Sequence, residues 1–160
     1  MSQGKGYERE LIKTIETLTH TPATTSIVAG MEALKALSIR RIDLVNLYPF
    51  ELNATVMAFM KGQGFEVDAV VSLGTDFTRI GDVSEADVYA AAKKAVRQSP
   101  NLEGLYLPCP QFPALDVIDA IERDLGIPAV GHLTSEIWMA FKRLNIRNSI
   151  PGFGKLLTMM

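Results

Sequence analysis

The sequence predicts an α/β protein built on a doubly wound parallel sheet. Three observations carry this. Four short, nearly continuous apolar runs recur along the chain, at 41–48, 65–73, 104–109 and 127–132. Segments with helical periodicity separate them. The runs are apolar throughout rather than alternating, as expected of strands covered on both faces. Right-handed crossovers then favour helices on both sides of one sheet.

The elements follow in order. "YERELIKTIETLTH" (7–20) sets Leu11, Ile12, Ile15 and Leu18 on one helical face. "PATTS" (22–26) reads as a short extended strand ending in Ser26, a helix cap, and "IVAGMEALKALS" (27–38) as the helix it starts. The strand "RIDLVNLY" (41–48) leads to the helix "FELNATVMAFMKGQG" (50–64), stopped by Gly62 and Gly64. "FEVDAVVSL" (65–73) is a strand and "GTDFTRIGD" (74–82) a loop. "VSEADVYAAAKKAVRQS" (83–99) is a helix with Ser84 as its cap and Asp87 in its first turn. "GLYLPC" (104–109) is a strand, and "PALDVIDAIERDLG" (113–126) a helix with Pro113 at its start and Gly126 past its end. "IPAVGH" (127–132) is the last strand and "SEIWMAFKRLNI" (135–146) the last helix, followed by a loop-like tail with an apolar end. The expected organisation is a complete lobe over 40–134. It is flanked by 1–39 and 135–160, whose helices look for a second sheet to cover.

Composition narrows the function classes. The chain has 160 residues, 48% of them hydrophobic and 21% charged, with a formal net charge of −2. It is globular in type, and no basic block interleaved with aromatics suggests nucleic acid. No apolar run approaches the roughly 20 residues that span a bilayer, and the amino terminus has no secretory pattern. A single cysteine forms no internal disulfide, which fits a reducing cytoplasm, and with two scattered histidines it makes no zinc set.

In doubly wound sheets, ligands bind beyond the carboxyl ends of the strands. Tyr48, Cys109 and His132 fall at such ends. Cys109 lies between Pro108 and Pro110. A thiol facing the start of a helix at Pro113 would have a lowered pKa and suit proton transfer. If strands 104–109 and 127–132 are neighbours, His132 shares a rim with Cys109 and can tune the thiol or relay its proton. Plainer readings stand beside these: Cys109 as a small core hydrophobe, Tyr48 as an edge residue, His132 as a loop residue. Thr24, Thr25 and Ser26 read as caps rather than an anion cradle. Trp138 reads as core, the charges of "IERDLG" as a solvated face, and Arg79 as a carboxylate clamp on a loop over the cleft.

"TPATTSIVAGMEALKALSIRRIDLVNLY", "LPCPQFPALDVIDAIERDLGIPAV", the Trp138 helix and "PGFGKLL" together resemble the aspartate/glutamate racemase superfamily. The branch is that of arylmalonate decarboxylases and maleate cis–trans isomerases. The resemblance implies two flavodoxin-like lobes with the active site between them, and chemistry next to a carboxylate of a small carboxylic or dicarboxylic acid. It implies no cofactor and no metal. Cys109 would be the proton donor and Tyr48 a carboxylate contact, with Asn53 and Gln111 as further substrate contacts and His132 at the same rim. The chain departs from the pattern twice. The first lobe's opening strands, with their carboxylate-binding loop or first cysteine, have no counterpart in residues 1–20. Pro110 also has no N–H to offer a substrate oxygen, so the N–H of Gln111 or Phe112, or the Gln111 amide, would replace it. The expected protein is thus a cytoplasmic lyase or isomerase. The alternatives are an inactive remnant that self-associates as a homo-oligomer, or a half-enzyme completed by a partner chain.

Overall fold

The computed structural model describes residues 6–159, apart from the side chain of residue 77. Four strands, β1 (Arg41–Asn46), β2 (Glu66–Ser72), β3 (Gly104–Leu107) and β4 (Ala129–Gly131), form one sheet in the order β2-β1-β3-β4. Every neighbouring pair is parallel. The helices are α1 (Tyr7–Thr19), α2 (Ser26–Ala36), α3 (Phe50–Gly62), α4 (Glu85–Gln98), α5 (Ile118–Leu125) and α6 (His132–Arg143). This is the doubly wound α/β architecture the sequence predicts. Among the described residues no helix is long and apolar enough to cross a membrane.

Strand periodicity of two separates the core into two halves. On one face Ile42, Leu44, Tyr106 and Val130 meet Ala29 and Leu34 of α2, Val56 and Met60 of α3, and Trp138 and Met139 of α6. On the other, Val45, Leu105 and Leu107 meet Val88, Ala91, Ala92 and Ala95 of α4 and Ile118 and Ile121 of α5. Trp138 is core, as expected, with Lys142 Nζ 4.7 Å from its ring centroid. The cap of α4 also forms as expected. Ser84 Oγ accepts from Asp87 N–H, and the Asp87 carboxylate accepts from Ser84 N–H at 2.9 Å.

Several local expectations are corrected. Residues 22–25 are extended but pair with no strand, and the cap of α2 is Thr25, whose hydroxyl accepts from Val28 N–H; Ser26 is already helical. The 74–82 segment contains a 3-10 helix, Phe77–Asp82, in which the exposed Arg79 pairs with Asp82 at 2.9 Å. "IERDLG" is not wholly solvated. The Glu122 carboxylate accepts from Ala129 N–H at 2.9 Å and from Lys155 N–H at 2.6 Å, tying α5 to β4 and to the tail. The tail ends in a second 3-10 helix, Lys155–Thr158, which buries Leu156 and Leu157 beside Trp138. Met160, the last residue of that apolar end, lies outside the described residues.

β1 and β2 are joined across an irregularity. Between the Ile42–Val67 and Leu44–Val70 pairs the register slips by one residue. The N–H of Ala69, left without a strand partner by such a slip, donates to Asp43 Oδ1 at 2.9 Å. Ser99 Oγ donates to the other carboxylate oxygen at 2.7 Å. A fully buried acid therefore closes the defect near the amino end of the sheet.

Candidate active site

At the carboxyl end of β3 the chain turns through Pro108, Cys109 and Pro110. It does not enter a helix at Pro113. Phe112 N–H bonds back to Cys109 O at 3.2 Å, Ala114 N–H to Phe112 O at 2.7 Å, and α5 begins only at Ile118. The intervening residues wrap the sulfur instead. The backbone N–H groups of Gln111 and Phe112 and the hydroxyl of Tyr48 lie near enough to Sγ to favour its charged form, while Phe112 N–H bonds to Cys109 O and the Tyr48 hydroxyl to Pro108 O. Pro110, which lacks a donor, is bypassed by the two residues after it.

The thiol is 3% exposed. Burial pushes its pKa up, and the Gln111, Phe112 and Tyr48 donors only partly offset this. The lowered pKa expected from a helix start at Pro113 is thus corrected: the helix starts too late to contribute, and desolvation outweighs the donors. At neutral pH Cys109 rests as a thiol.

Tyr48, half-buried just past β1, donates its hydroxyl to Pro108 O at 2.9 Å. Burial first, then the neighbouring Cys109, raises its pKa, so it stays a neutral donor. Its backbone is fixed from both sides: Tyr48 N–H donates to Asn46 Oδ1 at 2.9 Å, and Ser72 Oγ donates to Tyr48 O at 2.6 Å. Asn46 Nδ2 donates to Asn53 Oδ1 at 3.2 Å. Asn53 therefore supports the turn that carries Tyr48 and does not line the Cys109 cavity. Sequence reasoning missed Asn46 and Ser72. The available signal was a polar residue in each of two otherwise apolar strand ends.

Cys109 opens on a cavity of 220 Å³ between the 110–116 loop and the start of α6. Gln111 and His132 line it too, so the structure brings three of the five candidates together there, with Tyr48 behind the sulfur. His132 is not the end of a strand, as expected, but the first residue of α6, because Gly131 and Thr134 start the helix early; Gly131 N–H donates to Thr134 Oγ1 at 3.1 Å. β3 and β4 are neighbours, so the shared rim is real. Among the described residues Asp116 is the only carboxylate in the lining, and no Lys or Arg joins it. Among the described residues no cluster of three or more His, Cys, Asp or Glu could hold a metal.

The sequence matches the family described as arylmalonate decarboxylase over residues 1–157. The chain belongs to this family. The arylmalonate decarboxylase of Bordetella bronchiseptica is 28% identical over 156 residues, covering 96% of this chain and 65% of the relative. A maleate isomerase of Nocardia farcinica is 30% identical over 135 residues, covering 83% of this chain and 53% of the relative. A crystal structure of arylmalonate decarboxylase superposes with a TM-score of 0.88 at 27% identity, over 97% of this chain and 69% of the other. The branch that the sequence resembles is therefore the one to which this member of the arylmalonate decarboxylase family belongs. It spans just under two thirds of the length of the decarboxylase and about half that of the isomerase.

Proposed function

We propose that the chain carries the proton-donating lobe of a cofactor-independent decarboxylase or isomerase. The reaction takes place next to a carboxylate of a small carboxylic or dicarboxylic acid. The observation that carries this reading is the Cys109 thiol, buried past the carboxyl end of β3 yet lining a cavity, with the Gln111 and Phe112 N–H groups and the Tyr48 hydroxyl near enough to favour its thiolate. An acid of this kind gives its proton to a carbanion beside a carboxylate and stays stabilised afterwards. The single proton of the Tyr48 hydroxyl has two acceptors within reach. It serves Pro108 O while the sulfur is protonated and turns to the sulfur once the thiolate forms.

The amino end of α6 opens on the same cavity, and the positive end of its dipole suits one carboxylate where the lining has no Lys or Arg. Gln111, exposed at the rim, and His132 complete the substrate contacts on this side. The test is release of carbon dioxide from an arylmalonate, and conversion of maleate, by the protein and by its Cys109→Ala variant. Turnover that falls by about 10²–10⁴ in the variant supports the reading, that being the usual contribution of a general acid. Turnover unchanged by the substitution sinks it.

A second reading is favoured by the rim itself: a half-site completed by another segment or chain. Leu133, which lines the cavity, is exposed, and Phe50 and Leu52 at the start of α3 are exposed as well, apolar surface that a partner could cover. Light scattering that finds the protein monomeric and active by itself excludes it.

A further inference from the structure

The site leaves one cluster unused. Glu136 lies one turn after His132 on α6. One of its carboxylate oxygens is 3.4 Å from His132 Nδ1, and the other accepts the hydroxyl of Ser26 at 2.5 Å. Ser26 is the first residue of α2, so the carboxylate ties the starts of two helices together. The His132 side chain is only 12% exposed and lines the cavity it shares with Cys109.

We propose that Glu136 and Ser26 are positioning residues that hold His132 as the proton partner of the Cys109 thiol across the shared cavity. The proposal rests on the reading of Cys109 as a proton donor. With the carboxylate 3.4 Å from Nδ1, Nε2 is the ring nitrogen away from Glu136 and the one proposed to serve the cavity. An i, i+4 contact alone leaves a glutamate free to change rotamer. The Ser26 hydroxyl, arriving from another helix, removes that freedom. The cavity's 220 Å³ has room for several waters at about 30 Å³ each, so a proton can pass between ring and sulfur through water.

The steps balance. The thiol gives its proton to the substrate carbanion, forming a C–H bond and leaving a thiolate. The protonated imidazole passes its Nε2 proton to the sulfur, and the neutral ring takes a proton from solvent at the cavity mouth. One solvent proton ends in the product, and both side chains return to their starting forms. Other titratable groups facing this pair are Tyr48 past β1, Tyr106 on β3 beside Glu136, and Asp116 on the loop. Burial raises the pKa of both tyrosines, so neither titrates near neutrality.

The test is the rate of Cys109 alkylation by iodoacetamide, followed from about pH 5 to 10. It compares the full chain with His132→Ala, Glu136→Gln, Glu136→Asp, Ser26→Ala and Asp116→Asn. If the ring serves the sulfur across the cavity, its loss raises the midpoint. His132→Ala and Glu136→Gln are expected to move it up by about half a pH unit or more. Ser26→Ala moves it less, Glu136→Asp restores part of the shift, and Asp116→Asn leaves it in place. Wild-type profiles in both Glu136→Gln and Ser26→Ala overturn the positioning role, and an unshifted His132→Ala profile overturns the partnership itself. A shift in Asp116→Asn as large as that in Glu136→Gln overturns the proposal by assigning the effect to the rim carboxylate. Circular dichroism checks each fold, and Ser26→Ala, outside the cavity lining, keeps the test decisive should Glu136→Gln unfold. Alkylation needs no turnover, so a protein without activity but with shifted profiles sinks the function and keeps the relay.

Discussion

Cys109 and Asp43 sit at opposite ends of the same sheet, are both buried, and both have their pKa pushed up by burial. Donors meet each of them: Ser99 and Ala69 for Asp43, Gln111, Phe112 and Tyr48 for Cys109. The difference is access. Asp43 is fully buried, with both its oxygens engaged, while the Cys109 cradle opens on a cavity. The same desolvation therefore accompanies a structural plug at one end and a protonated thiol open to a cavity at the other. A perturbed pKa marks function only where a substrate can reach the group.

The largest effects should separate these two roles. Cys109→Ala should remove turnover by the factor given above and leave melting nearly unchanged, since a small, half-satisfied side chain is lost beside a cavity. Asp43→Ala should do the reverse. It leaves the Ser99 hydroxyl and the Ala69 N–H buried without their acceptor, at a cost of about 1–3 kcal/mol for each unsatisfied group. Denaturant melts and turnover measured on both variants, with the Cys109 alkylation rate followed in Asp43→Ala, check the pair. An Asp43→Ala protein of wild-type stability would end the comparison.

This contrast also explains what the sequence could tell. Four apolar runs with helices between them made the sheet legible, and the carboxyl ends of its strands made Cys109, Tyr48 and His132 legible as rim residues. The helix start after Cys109 was not. Ala114, Val117, Ile118 and Ile121 keep helical spacing from 114 onward, so the pattern reads as helix from Pro113. The turn after Cys109 nevertheless uses the backbone through Ala114, whose N–H bonds to Phe112 O. Periodicity reports which face is buried, not which N–H groups are spent on a side chain. Asp43 and Glu122 were illegible for the same reason. One acid in a strand and one in a charged helix look unremarkable until the backbone donors they cap are known.

A smaller effect probes the packing behind the site. Gly30 faces the Tyr106 ring so closely that an added Cβ would lie 2.2 Å from its hydroxyl oxygen and 2.7 Å from the ring carbon bearing it. Alanine favours a helix by about 1 kcal/mol over glycine, but overpacking of this kind costs about 1–3 kcal/mol. Gly30→Ala should therefore be neutral to moderately destabilising, and Tyr106→Phe should recover only part of any loss because the ring carbons remain too close. A double-mutant cycle on thermal unfolding measures the coupling.

The smallest effect is a difference in pH slope between two carboxylates. The Ser84 hydroxyl and then its N–H hold Asp87 below the usual carboxylate range, so the charged form is favoured in the fold. Its contribution is present above the unfolded value of about 3.9 and fades as pH falls through the folded value. Asp43 is raised, so its charged form is disfavoured in the fold. That cost develops as pH rises from the unfolded value through the folded one, and is relieved in acid. Between neutral pH and about pH 3, the melting gap between wild type and Asp87→Asn should close, while that between wild type and Asp43→Asn should shift in favour of wild type. Parallel slopes in the two variants would mean that the exposed cap and the buried plug titrate alike. Burial would then not be what distinguishes them, and the same argument for a thiol held protonated at Cys109 would fail with it.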